Sequence, residues 1–79
     1  MITSISMLKL GDKIVIIDSC NSNWNVAMDK FLGQTVTIDK IEFSSNVVRL
    51  KEDNRRWAWN NKHINWIKTN ELYNKPNEY

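Results

Sequence analysis

The apolar positions of this chain recur mostly at the spacing of strands. Ile14-Val15-Ile16-Ile17-Asp18 follows the turn pair Gly11-Asp12 and stops at a polar cluster, Ser19 to Asn23. A short β-branched run between such punctuators predicts a strand. Its apolar residues fall on both faces, which places it in the middle of the fold. Met7 to Leu10, before the turn, fits either a short edge strand or a terminal extension. After the polar cluster, Val26, Met28, Lys30, Phe31 and Leu32 fit one or two helical turns, with Met28 and Leu32 on a shared face. Asn25 is the expected N-cap and Gly33 the left-handed stop. Gln34 to Phe43 predicts a long strand in which Val36 and Ile38 alternate with Thr35 and Thr37. The apolar phase then slips by one residue, to Ile41 and Phe43. Such a slip marks a β-bulge or a sharp bend.

Ser44 to Asn46 reads as a turn and Val47 to Asp53 as the next strand, with Val48 and Leu50 on one face and Arg49 and Lys51 on the other. A tight Asp53-Asn54 turn is expected to lead into a strand Arg55 to Asn60. Asn60 to His63 interrupts with about one polar turn, Ile64 to Thr69 reads as a short final strand, and no internal repeat is visible. Strands this short and this locally joined favour an antiparallel sheet closing on itself over a parallel α/β fold. The predicted fold is therefore mainly β: an SH3-like small antiparallel β-barrel with one short helix in the long first loop. Residues 1–10 are its extension or edge strand, 11–69 the barrel and 70–79 a flexible tail.

Composition sharpens the energetic side. At 79 residues the chain makes one small domain, with one cysteine and no Cys/His cluster. Neither a disulfide nor a structural zinc is expected to staple it, so the core must come from large apolar groups. Its four tryptophans are the obvious supply, burial of each contributing on the order of 2–3 kcal/mol. Self-association is another remedy for a small core. The net charge of +2, with acids scattered among the bases, is too weak and mixed for a strong footprint on duplex nucleic acid. No apolar run approaches a membrane span or follows a basic N-terminus, so a soluble cytoplasmic protein is expected, in keeping with the lone Cys20. Heavy use of Asn, Lys and Ile points to an AT-rich genome, that of a low-GC bacterium or one of its phages.

The candidate chemistry centres on Arg55-Arg56-Trp57-Ala58-Trp59-Asn60. In a strand both indoles share a face, and they serve either as core or as a stacking platform. Near a barrel rim one is buried and the other half exposed, and Trp59 is expected to be the buried one. Trp24 is either a lid over one barrel end or, with Trp57, the wall of a shallow aromatic groove suited to proline-rich peptides or nucleobases. Arg49, Lys51, Arg55 and Arg56 flank one hairpin, as a phosphate-holding patch or as a solvated face offset by Glu52 and Asp53. Cys20 and His63 are the lone thiol and imidazole, with no nucleophile motif around them. No paired carboxylates, glycine-rich phosphate loop or metal motif is present, so no catalysis, cofactor or metal is expected.

The stretch Trp24 to Ile67 resembles small phage and bacterial proteins of uncharacterised function, on Trp24, Met28, Leu32-Gly33, Thr35-Val36-Thr37-Ile38, Lys51-Glu52-Asp53 and Trp57-Ala58-Trp59. The layout also resembles the mind-bomb type of SH3-like domain, though without its glycine-rich segment and aspartates. These resemblances imply a fold and no reaction. The expected function is a non-enzymatic binding module, a phage accessory or inhibitor protein engaging a host protein through Trp24 and Trp57, with Arg55 and Arg56 at the periphery. Two alternatives stay open: binding a nucleotide messenger or single-stranded nucleic acid, alone or as a homo-oligomer, and a structural part of a phage particle.

Overall fold

A computed structural model describes residues 2–18 and 26–73. Strands β1 (Lys13–Val15), β2 (Thr35–Glu42), β3 (Val47–Leu50) and β4 (Trp59–Asn60) form one antiparallel sheet in the order β1-β2-β3-β4, curved into a half-barrel. Among the described residues, the 3-10 helices Ile5–Met7, Val26–Phe31 and Asn61–His63 and the α-helix α1 (Trp66–Tyr73) complete it. The half-barrel is cinched where Ile64 bridges Ile16. There the Ile17 N–H donates to His63 O at 3.0 Å and the Asn65 N–H to Val15 O at 2.7 Å.

The phase slip in β2 is a bulge. Ile38 pairs with Leu50 and Lys40 with Arg49, which leaves Asp39 as the extra residue. The bend lets β2 pair with β1 through Thr35 to Thr37 and with β3 further along. Between these strands lies the core of Ile14, Ile16, Val36, Ile38, Val48, Leu50, Trp59 and Ile64, closed below by Met28 and Phe31. Met28 and Phe31 are three apart, and a 3-10 helix puts such a pair on one side. The pairing expected from α-helical spacing, Met28 with Leu32, is replaced for that reason; Leu32 is only partly buried. Gly33 stands at φ +71° and turns the chain into β2.

Four expectations need correction. Residues 2–10 form no edge strand: Ile5–Met7 is a 3-10 turn, Ile5 and Leu8 are buried in the core, and the Ile5 N–H reaches Asn61 Oδ1. The segment Arg55 to Trp57 is turn rather than strand, because Asn54 and Arg55 both take left-handed backbone, at φ +57° and +63°. The chain therefore meets β3 again only at Trp59. Ile64 to Thr69 makes a single bridge and then becomes α1. Asn65 starts that helix, its Oδ1 accepting from the Lys68 N–H at 3.0 Å. Finally, the segment read as a tail from residue 70 begins inside α1; 74–79 lie outside the described residues.

Helix α1 stands where a further strand was expected and does a strand's work along β1. Thr69 Oγ1 accepts from the buried Val15 N–H at 2.9 Å. One turn on, the Tyr73 hydroxyl accepts from the Lys13 N–H and donates to Lys13 O, at 2.8 and 2.6 Å. Asn70 grips the N-terminal segment in the same manner, accepting from the Ile2 N–H and donating to Ile2 O, both at 2.7 Å. The free edge of β1 is thus satisfied by side chains rather than left open to pairing. No helix among the described residues is long and apolar enough to cross a membrane.

Candidate functional site

The connection from 51 to 58 is organised by one carboxylate. Asp53 Oδ2 accepts from Trp59 Nε1 at 3.0 Å and from the Trp57 N–H at 3.3 Å. Its Oδ1 is buried with no hydrogen-bond partner among the described residues. The turn is further held by Arg55 N–H to Leu50 O and Arg56 N–H to Asp53 O. Asp53 so fixes both tryptophans, Trp59 by its indole inside the core and Trp57 by its backbone at the core's margin.

Trp59 is wholly buried. Phe31 meets it edge-on at 5.5 Å and His63 at 5.7 Å. His63 Nδ1 accepts from the Asn60 N–H, and Asn60 Oδ1 accepts from the Lys62 N–H, a reciprocal cap on the 3-10 turn. Partial burial pushes the His63 imidazole below its ordinary pKa of 6.5. His63 therefore has a structural post, and Cys20 lies outside the described residues.

Trp57 is only half buried, and the Arg56 guanidinium lies 5.1 Å from its ring centroid. With Lys30, Phe31, Glu52, Asp53 and Asn54 they line an open cleft of about 280 Å³ between the 3-10 helix Val26–Phe31 and the turn after β3. Glu52 is anchored there by the Thr37 N–H and hydroxyl, at 2.8 and 2.9 Å. Slight burial raises its pKa, but those hydrogen bonds and the Lys13 charge outweigh it and hold the carboxyl below 4.5.

The basic residues of this hairpin do not form one patch. Arg49 Nε pairs with Glu42 at 3.1 Å, Arg55 Nε pairs with Asp39 at 2.6 Å on another side of the turn, and Lys51 is exposed. Only Arg56 joins Trp57 at the cleft. Trp24 lies outside the described residues. Sequence reasoning missed Phe31, Lys30 and Asp53 as cleft residues; the run Met28-x-x-Phe31 was the available signal for the first.

A second groove, of about 490 Å³, opens between the N-terminal segment and the bulge of β2. Leu8, Leu10, Ile41 and Phe43 form its walls, with Lys9, Asp39, Lys40 and Arg55 around them. No group of three or more potential metal ligands occurs among the described residues. Comparison of the chain with protein-family models, curated proteins and solved structures finds no match.

Proposed function

We propose that this chain is an SH3-like, non-enzymatic binding module that engages a partner protein through the cleft of Trp57, Arg56, Phe31 and Lys30. The SH3-like reading is supported by the succession of curved sheet, single 3-10 turn Asn61–His63 and the Ile64 bridge back to Ile16. The observation that carries the binding reading is the stacking of Arg56 on a half-buried Trp57. A tryptophan held by its backbone at Asp53 and left partly open is a preorganised anchor, and aromatic and arginine anchors dominate the energetics of protein interfaces.

The same geometry weighs against a nucleobase stacking platform. Arg56 occupies one face of the indole, and the carboxylates of Glu52 and Asp53 line the cleft where a phosphate would approach. Arg49 and Arg55 are engaged by Glu42 and Asp39. The resemblance to small phage proteins and the heavy use of Asn, Lys and Ile, which points to an AT-rich genome, support an accessory protein of a phage, with a host protein as its target and occlusion of that target as its mechanism.

The test is affinity capture from lysate of a low-GC bacterium with the wild-type chain and with Trp57→Ala, after circular dichroism has shown both folded. The proposal expects a protein retained by the first, resistant to moderate salt, and lost with the second. Retention of the same proteins by both, or retention of nucleic acid that washes off steeply with salt, would overturn it.

A further inference from the structure

We infer that the groove between Leu8-Lys9-Leu10 and the bulge of β2 is a separate docking site for an acidic peptide segment carrying bulky apolar residues. Folding leaves its walls open: Leu10 is 66% exposed and Phe43 64%, although Leu8 beside them is buried to 3%. Met7, Ile67 and Tyr73 are exposed elsewhere, but among these large exposed side chains only Leu10 and Phe43 line a common groove.

The charge around the walls is predominantly positive. Lys9, Lys40 and Arg55 line the groove against a single lining carboxylate, Asp39. Glu42 approaches Lys40 at 3.9 Å but is already shared with Arg49 at 3.1 Å. A segment with carboxylates flanking its apolar residues complements this arrangement; a basic or neutral one does not.

Two backbone irregularities converge on the same place. Asp39 is the extra residue of the β2 bulge, and Arg55 holds left-handed backbone at φ +63°, where a glycine would sit without strain. Together they bring Arg55 Nε to 2.6 Å from Asp39 Oδ2, with the two side chains 53% and 40% exposed. Strained backbone that aims an exposed guanidinium into an open groove is a mark of a binding site. Asp39 occupies the guanidinium in the free protein, and a ligand carboxylate takes its place.

The probe is a hexapeptide alternating glutamate with leucine and phenylalanine, blocked at both ends, beside versions with lysine or serine in place of glutamate. Binding is followed by amide chemical shifts of the full chain. The acidic peptide is expected to move Leu10, Ile41, Phe43 and Arg55 and to bind at least about fivefold tighter than the others, a preference that salt reduces. Phe43→Ser and Arg55→Gly, both compatible with the fold, are expected to weaken it, and Asp39→Ala to tighten it by freeing Arg55. Trp57→Ala is expected to leave it unchanged, so this site and the Trp57 cleft stand or fall separately. Equal binding of all three peptides, no binding of any, shifts at the Trp57 cleft, or weakening by Asp39→Ala would overturn the inference. So would concentration-dependent self-association abolished by Phe43→Ser, which would assign the groove to a second copy of the chain.

Discussion

Trp59 and Trp57 are two residues apart, share one carboxylate, and have opposite fates. Trp59 gives its Nε1–H to Asp53 and its whole surface to Phe31, His63 and the aliphatic core. Trp57 gives Asp53 only its backbone N–H, packs partly against the core and carries Arg56 over its ring. In a regular strand both would face the same way. The left-handed pair Asn54-Arg55 delays the strand until Trp59, so Trp57 stays in the turn. One indole is consequently sealed in the core, and the other is only partly buried at the cleft.

The largest expected effect is that of Trp59→Ala, about 3–5 kcal/mol of lost stability, the range for truncating a buried large aromatic. In a domain of this size that leaves little folded protein, which urea denaturation followed by circular dichroism will show. Asp53→Ala comes next, at about 1–3 kcal/mol, because it strips the acceptor from Trp59 Nε1 and the Trp57 N–H together. Trp57→Ala should cost less than Trp59→Ala, because only part of its indole packs against the core, while removing partner capture. A loss as large as that of Trp59→Ala would place Trp57 in the core and erase the contrast.

The smallest effect is on pH. His63 packs on Trp59, and its folded pKa lies below 6.5. The unfolded chain therefore takes the proton first, so stability is whole above about 6.5 and falls as the pH drops toward the folded value. Glu52 adds a further loss below 4.5, since its folded pKa is also depressed. A urea midpoint that declines from pH 7 to 5 in wild type, and declines less in His63→Gln, is the expected result; a midpoint insensitive to both would refute the sign.

The sheet was legible where apolar period and local pairing coincide. Val36, Ile38, Ile41, Val48 and Leu50 announced β2, β3 and a bulge or bend after Ile38, which the register resolves as a bulge at Asp39. The final strand was misread because the inward face of α1 carries Thr69 and Asn70, buried for hydrogen bonding to β1 and to Ile2 rather than for apolar contact. A hydrophobic pattern cannot report a face recruited for its polar atoms; Asn65 as N-cap was the one local sign. The N-terminal plug was hidden too, since burial of Ile5 and Leu8 depends on a cavity made by distant segments. At the candidate site, the division between Trp57 and Trp59 could be read from size and position, whereas the dispersal of Arg49, Arg55 and Arg56 depends on partners brought in by folding.

The availability of Trp57 is tested most directly by iodide quenching of tryptophan fluorescence in wild type and in Trp57→Phe. The account predicts that the phenylalanine variant stays folded and loses a quenchable component present in wild type, because that component is the Trp57 indole. Identical quenching curves from two folded proteins would show that iodide never reached Trp57, and would contradict its assignment to recognition.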